Sequence, residues 1–142
     1  MFHEKLTFDT LRQANIRRLP QFKNSKGGPA HSKPDGSDWS PAQWLQAVMG
    51  ELGEYANVRK KFERGDLTEE EFLKEAKDEL ADVMTYLDIL CFQLGIDLDA
   101  AVKSKFNRIS ERVGSFIYIG DDNDWHIKPD NNGNSKEGAT VS

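Results

Sequence analysis

Two pairs of acidic residues stand at the same spacing in two stretches of this sequence. Glu51 and Glu54 are three residues apart in W-L-Q-A-V-M-G-E-L-G-E-Y, and Glu79 and Asp82 are three apart in D-E-L-A-D-V-M-T-Y-L-D. Side chains three positions apart are neighbours on an α-helix, because each residue turns the helix by about 100°. Each pair therefore predicts two carboxylates side by side. Carboxylate oxygens are the protein ligands that Mg²⁺ and Mn²⁺ prefer.

The first acid of each pair falls inside an apolar stripe of its predicted helix. An ionised carboxylate that leaves water without a partner costs several kcal/mol in effect, and a bound cation would remove that cost. An acidic pair on a helix is more often a solvated surface. Here the pattern occurs twice and lies in the stripe each time, which favours a four-carboxylate metal site between two helices. The flanking apolar residues are Trp44, Ala47, Val48, Tyr55, Val58 and Phe62 around Glu51, and Phe72, Ala76, Val83, Tyr86 and Leu90 around Glu79.

Capping residues predict the helices that must position these acids. Thr7 suits the start of a short helix that ends before Pro20. Ser40-Pro41-Ala42-Gln43 and Thr68-Glu69-Glu70-Glu71 read as capping boxes, so we expect one helix from residue 41 to about 64 and another from residue 69 to about Gly95. A further helix should follow Asp97 and end near Arg112. Residues 115–119 form a short apolar run of undecided type.

Basic side chains occur where they could meet phosphate groups. Lys60 and Lys61 end the first acid-bearing helix, and Lys105, Arg108 and Arg112 share one face of the last predicted helix. Charge-assisted bonds from such residues to phosphate are strong, although a basic row is also common on a solvated face. The polar loop of residues 21–38, which contains His31, allows the same two interpretations: a phosphate-binding loop or a mobile connector.

Composition limits the possible functions. The chain has 142 residues, a formal net charge of −5 and a single cysteine. An acidic chain of this size predicts one domain with no broad basic surface for nucleic acid or for a membrane. No stretch approaches 18 apolar residues, so we expect a soluble, cytoplasmic protein. We assign residues 1–119 to an all-α domain with its core at 39–114, and residues 120–142 to a polar, flexible tail.

Taken together, G-E-L-G-E, D-E-L-A-D-V-M-T-Y-L-D, G-I-D-L and K-F-N-R-I-S-E-R resemble the MazG-like nucleoside triphosphate pyrophosphohydrolases. These enzymes belong to the all-alpha NTP pyrophosphatase superfamily, and the resemblance covers roughly residues 39–114. It implies an all-α helical bundle assembled as a homodimer or homotetramer. It also implies hydrolysis of a nucleoside triphosphate to the monophosphate and pyrophosphate. Gly50 stands where the family's fuller first motif has a glutamate.

The resemblance also implies roles for individual residues. Mg²⁺ or Mn²⁺ would be held by four acids that also carry catalysis, namely Glu51, Glu54, Glu79 and Asp82. The substrate would be bound by Tyr86, Lys105, Asn107 and Arg112, to which the basic residues found above add Lys61. Some phage-borne members act on dGTP in the host cytoplasm, so dGTP is one substrate that the resemblance suggests.

Two other classes of protein share parts of this pattern. A carboxylate-bridged di-iron bundle also uses inward glutamates, but it requires Glu-x-x-His pairs, and the three histidines lie outside the predicted core helices. A non-catalytic helical interaction module would explain the wide apolar arc that Leu45, Met49, Leu52 and Ala56 add to the first acid-bearing helix. It would not explain acids within the stripe. The same arc predicts that the subunits associate through helix faces.

Overall fold

The structure, a computed structural model, describes residues 5–129 and Gly133. Most of the described chain is helical, in the order α1 (Phe8–Arg18), a short 3-10 turn (Leu19–Gln21), α2 (Pro41–Glu63), α3 (Glu69–Gln93) and α4 (Leu98–Arg112). Two short strands follow, β1 (Ile117–Ile119) and β2 (Trp125–Ile127). The chain divides into two compact units, Met1–Asp97 and Leu98–Ser142.

The helices of the first unit begin at the predicted capping residues. The Thr7 hydroxyl accepts a hydrogen bond from the Thr10 amide at 3.1 Å. Ser40 and Gln43 form a complete capping box at the start of α2, and Thr68 and Glu71 form another at the start of α3. These bonds satisfy amides that the first turn of a helix leaves without partners. The predicted helix starts are therefore confirmed.

Helices α2 and α3 pack along each other and carry two apolar clusters. Leu19, Trp44 and Ile89 are almost fully buried in the first cluster. Val58, Phe72 and Ala76 form the second, and the Phe62 and Phe72 rings stack at 4.6 Å between centroids. The apolar stripe predicted around the acids on α2 and α3 thus forms the core of this unit.

The segment between the 3-10 turn and α2 has a defined course. A backbone bridge joins Lys23 to Pro29. Further along, the Asp38 carboxylate accepts hydrogen bonds from the amides of Ser32 at 2.9 Å and Lys33 at 3.3 Å. The His31 side chain is buried against aromatic residues. These contacts give the segment a local fold and bury the His31 ring. Both interpretations of the segment, a phosphate-binding loop and a mobile connector, stay predictions.

The second unit consists of α4 and an antiparallel hairpin. Strands β1 and β2 pair with Ile117 opposite Ile127 and Ile119 opposite Trp125. The undecided run at residues 115–119 therefore contains a strand. The boundary predicted between residues 119 and 120 falls between the two strands of this hairpin. Of the tail predicted to be flexible, residues 120–129 are described and contain β2, and among residues 130–142 the structure describes Gly133 alone.

The expected all-α class agrees with a mostly helical chain that adds one small sheet. Cys91 is buried, as a core residue should be. Across residues 5–129, every helix is too short or too polar to cross a lipid bilayer.

Candidate functional site

Three of the four predicted metal ligands meet between α2 and α3. Glu51 comes from α2, and Glu79 and Asp82 come from α3. One carboxylate oxygen from each residue can be chosen so that all three lie within 4.8 Å of one another. Glu51 and Glu79 are half-buried, whereas Asp82 is exposed. The acids that the sequence placed on two separate helices therefore form one cluster, which we call the acidic triad.

The acidic triad is electrostatically strained. The pKa of Glu51 lies above its ordinary value, first because burial removes water from the carboxylate. The negative charges of Asp82 and Glu79 raise this pKa further, as does a hydrogen bond with the Glu79 carboxyl. Like charges disfavour ionisation of a shared site, and a cation favours it. A divalent cation would therefore relieve the repulsion within the triad.

The donor set of the triad fits a hard cation. Each of its three residues offers a carboxylate oxygen. Mg²⁺ and Mn²⁺ favour oxygen ligands and commonly keep water or substrate phosphate in their remaining positions. Nitrogen donors lie elsewhere in the described chain, since His31 is in the loop before α2 and His126 is in β2. His3 is outside the described residues. This distribution does not match the Glu-x-x-His pairs of a di-iron bundle.

Glu54, the fourth predicted ligand, stands apart from the triad. Its side chain is exposed, and it is not among the residues whose oxygens converge. Its negative charge still contributes to the raised pKa of Glu51, so it lies near enough to act on the site. Its predicted role as a ligand stays a prediction.

Tyr86 connects the triad to the aromatic core of the same unit. It is half-buried on α3, and its ring centroid lies 6.4 Å from that of Trp44. Burial raises the pKa of the Tyr86 hydroxyl, and the charges of Glu51 and Asp82 raise it further, against a lowering by Arg18. Tyr86 thus stays protonated beside the acids, and its hydroxyl can donate a hydrogen bond. Lys61, at the far end of α2, is exposed.

The three remaining predicted substrate residues lie on α4, in the second unit. Lys105 and Arg112 are exposed. Asn107 binds β1: its Nδ2 donates to the Ile119 carbonyl at 2.9 Å, and its Oδ1 accepts from the Ile119 amide at 2.8 Å. Both ends of the Asn107 amide are therefore engaged in holding the hairpin. Its predicted phosphate-binding role is not tested, and it would require these bonds to be exchanged.

Sequence reasoning missed the burial of three polar residues of the first unit, one of which is Asn15 on α1. Asp88 is fully buried, and His31 is almost so. A charged residue inside the apolar run L-D-I-L-C-F was a local sign that Asp88 has buried partners. For His31 the loop composition gave no such sign, since the Gly, Pro, Ser and Asp around it are typical of an exposed segment.

No protein-family model matches the chain, and no curated protein gives a significant match. The functional argument therefore depends on the residues and geometry of this chain, together with the motif resemblance described above.

Proposed function

We propose that this chain is a divalent-metal-dependent nucleoside triphosphate pyrophosphohydrolase, with Mg²⁺ or Mn²⁺ as its cofactor. It would convert a nucleoside triphosphate, such as the deoxynucleotide dGTP, to the monophosphate and pyrophosphate. The observation that carries the proposal is the acidic triad, in which oxygens of Glu51, Glu79 and Asp82 lie within 4.8 Å of one another. Carboxylates grouped in this way hold a hard cation, and the motifs around them resemble those of this class of hydrolase.

The reaction is the hydrolysis of a phosphoric anhydride. The oxygen of a water molecule bonds to phosphorus, the anhydride bond between the first and second phosphates breaks, and pyrophosphate leaves. When bound, the cation supplies Lewis-acid stabilisation of the charge on the phosphate oxygens. The chain itself supplies the triad that holds the cation and the exposed carboxylate of Glu54, which we assign to accept the proton of the attacking water.

Cationic side chains would complete charge stabilisation. Preorganised charges aimed at developing negative charge are commonly the largest catalytic contribution. Lys61, Lys105 and Arg112 are exposed, so their charged groups are not used in the core of either unit. We assign them to the phosphates, and the Tyr86 hydroxyl to the nucleoside part of the substrate. We assign Asn107 to the phosphates as well, which requires its amide to give up its hydrogen bonds to Ile119.

We further propose a helical bundle of the all-alpha NTP pyrophosphatase type, in which subunits associate as a homodimer or homotetramer. Large apolar side chains on α2 and α3 are exposed in the single chain. A helix with apolar residues over most of its circumference is usually buried on several sides, so a second copy is the partner that we assign to this face. The exposed residues are Leu45, Met49, Leu52, Leu80 and Met84.

The function is tested by pyrophosphate release from each of the four deoxynucleoside triphosphates, with Mg²⁺, with Mn²⁺ and with EDTA. We expect turnover that requires a cation and is lost in Glu51→Gln and Asp82→Asn, with circular dichroism unchanged. Glu63→Gln is the matched control, because Glu63 lies on α2 and is paired with Arg59 on the exposed surface. Full activity in either triad variant would show that the acidic triad is not the catalytic site.

Metal binding is tested separately by isothermal titration with Mn²⁺. Binding by the parent chain and by Glu63→Gln, but not by Glu51→Gln, is expected. The absence of divalent-metal binding by the parent chain would favour the non-catalytic interaction module instead.

A further inference from the structure

His31 and Asp38 face each other within the segment that joins the 3-10 turn to α2. The His31 side chain is 3% exposed, and its Nδ1 is buried without a hydrogen-bond partner. The carboxylate Oδ1 of Asp38 lies 3.8 Å from that nitrogen, which is beyond hydrogen-bonding distance. Buried polar atoms are nearly always satisfied, so an unpaired nitrogen this close to a carboxylate indicates a contact that a small movement would complete.

Asp38 supplies a fixed negative charge on one side of this contact. Its carboxylate oxygens accept hydrogen bonds from the amides of Ser32 at 2.9 Å and Lys33 at 3.3 Å. The pKa of Asp38 lies below its ordinary value, first because of the bond from the Ser32 amide, although burial opposes this change. The carboxylate therefore stays ionised across the range near pH 6.5 in which a histidine ordinarily titrates.

Three aromatic rings surround the His31 imidazole. Their centroids lie 4.9–6.1 Å from its own, and the rings belong to Phe22, Trp39 and Trp44. The π-face of an aromatic ring attracts a cation, which offsets part of the cost of moving a charge out of water. The imidazole is therefore buried in surroundings that accept its charged form as well as its neutral form.

The charged and titratable groups near the imidazole come from several elements. Lys23 and Tyr86 line the pocket beside it, and burial raises the pKa of the Tyr86 hydroxyl, so this group stays neutral. Arg18 of α1 lies over the Phe22 ring, 5.5 Å from its centroid. The ring that α2 contributes carries no charge. The two cations oppose a charge on the imidazole, whereas Asp38, the described carboxylate within ion-pairing distance, favours it.

We propose that His31 and Asp38 form a pH-sensitive clasp, which is open in this structure and closes when the imidazole takes up a proton. A neutral imidazole whose proton is on Nε2 presents a lone pair to the carboxylate, and the two repel, in agreement with the separation of 3.8 Å. A charged imidazole donates from both nitrogens. Nδ1 then pairs with Asp38 after the two atoms approach by about 1 Å, to the length of a charge-assisted bond.

The direction of the pH dependence follows from which state is paired. The clasp is closed when the imidazole is charged, so it holds residue 31 to residue 38 at pH values below the ordinary titration range of histidine. This hold is lost as the pH rises through that range. The segment before α2 is therefore held more firmly in acid than in alkali. Neither residue belongs to the acidic triad, so the clasp does not depend on the proposed hydrolase function.

Titration of the histidine ring signals by ¹H–¹⁵N NMR, without metal or nucleotide, tests the pair directly. The chain has three histidines, and His31→Phe and His126→Phe assign their signals. In Asp38→Asn, which removes the charge and keeps an oxygen acceptor, the midpoint of the His31 titration should fall by about one pH unit, a tenfold loss of proton affinity. An unchanged midpoint would overturn the clasp. Asp35→Asn is the matched control, because Asp35 lies in the same segment and accepts from the Ser37 amide at 3.0 Å.

Amide hydrogen exchange measures how firmly the segment is held. The amides of Ser32 and Lys33 donate to Asp38, so they report on the position of its carboxylate. Their protection, relative to the exchange rate of an unstructured chain at the same pH, should rise at least about fivefold between about pH 8 and about pH 5.5. The rise should be absent in His31→Phe. Equal protection of the parent chain at both pH values would refute the closing step.

Urea unfolding of the parent chain and of His31→Phe at the same two pH values separates the clasp from a merely buried histidine. If the clasp closes, the difference between their urea midpoints should shrink by at least about half on acidification, because the parent chain gains an ion pair that the variant lacks. A histidine that stays neutral in the folded chain predicts the opposite, since unfolding then takes up a proton and the variant gains in acid. In an Asp38→Asn background the difference should grow. Growth of the difference with Asp38 in place would overturn the proposal, and the Asp38→Asn titration decides it if His31→Phe does not fold.

Discussion

Arg12 of α1 and Asp88 of α3, which are 76 positions apart in the sequence, meet through a hydrogen bond of 3.0 Å from the arginine Nε to the carboxylate Oδ1. The second carboxylate oxygen accepts from Asn15 Nδ2 at 2.9 Å. Arg12 also donates to the Ile96 carbonyl at 2.9 Å. Asp88 is fully buried, so this network fixes α1 against α3 by polar contacts inside an otherwise apolar layer.

Asp88→Ala should destabilise the chain by about 3 kcal/mol, the scale for breaking a buried, hydrogen-bonded ion pair. The change removes the acceptor of two donors, and the buried Asn15 amide loses its closest partner. Urea unfolding followed by circular dichroism measures the difference. Glu63→Ala is the control, because it breaks the exposed pair with Arg59 and should change stability by less than about 0.5 kcal/mol. Equal effects of the two variants would contradict the assigned role of the network.

Glu51→Gln should be more stable than the parent chain at pH 7 in EDTA, by up to about 1 kcal/mol. The folded-state pKa of Glu51 is raised above its ordinary value of 4.5, chiefly by burial and then by Asp82 and Glu79. The protonated acid is therefore favoured by folding. Its contribution to stability is fully present below the ordinary pKa and is lost as the pH rises through the raised value. A glutamine at this position does not titrate, so the variant does not lose stability in this pH range.

Two controls accompany the Glu51 measurement. At about pH 4, where the acid is largely protonated in both states, the two proteins should unfold at nearly the same urea concentration. With Mn²⁺ in excess at pH 7 the order should reverse, because a ligand that binds only the folded chain stabilises it by mass action. A parent chain that stays less stable than the variant in Mn²⁺ would argue against metal binding by the acidic triad.

Gly36→Ala should be more damaging than Gly27→Ala, although both glycines have positive φ, 70° and 78°. A Cβ at Gly36 would lie 2.7 Å from Leu19 Cδ2 and 2.9 Å from Trp44 Cζ2, whereas one at Gly27 meets nothing within 4 Å. The left-handed backbone costs alanine about 1–2 kcal/mol at either site, and overpacking adds about 1–3 kcal/mol at Gly36 alone. Thermal unfolding of both variants gives the comparison. Similar melting temperatures would show that the loop yields to the new methyl group.

Local patterns were enough to predict the helices of the first unit. Capping by Thr7, Ser40 and Thr68 depends on residues within one turn, so the sequence contains the whole signal. The short hairpin was harder. Each strand has three residues, and a strand of that length is defined by its pairing partner rather than by its own composition.

The candidate site was also predictable only where it depends on residues of the same helix. Spacing along one helix places Glu79 beside Asp82, and this was predicted from the sequence. Which acid of α2 faces them depends on how the two helices are rotated against each other. The apolar stripe indicated that Glu51 faces α3. The second acids of the two pairs differ, because Asp82 converges with Glu51 and Glu54 does not converge, and this distinction is set by packing rather than by spacing. The burial of His31 likewise depends on ring contacts between a loop and two helices.

Met49→Glu should shift the chain from an oligomer to a monomer. Met49 is 56% exposed on α2 and lies on the same arc as Leu45 and Leu52. A carboxylate buried in an apolar contact between two copies would be unpaired and would oppose association. Light scattering coupled to gel filtration gives the mass of both forms. Leu6→Glu, at an exposed residue before α1, is the control and should leave the mass unchanged. A parent chain that is monomeric at micromolar concentration would refute the proposed assembly.

His31→Phe should raise the free energy of unfolding by about 1 kcal/mol. The imidazole Nδ1 is buried without a partner, and leaving such an atom unsatisfied costs about 1–3 kcal/mol. Phenylalanine keeps ring contacts with Trp39 and Trp44 and deletes the unsatisfied atom, although its larger ring offsets part of the gain.

Urea unfolding measures the stability change in metal-free buffer without nucleoside. His126→Phe is the matched control: the His126 Nε2 is already paired with Asp122 at 2.8 Å, so its replacement should bring no gain. If His31→Phe instead lowers stability, Nδ1 has a structural partner in solution, and the Asp38 carboxylate, 3.8 Å away, is the nearest one.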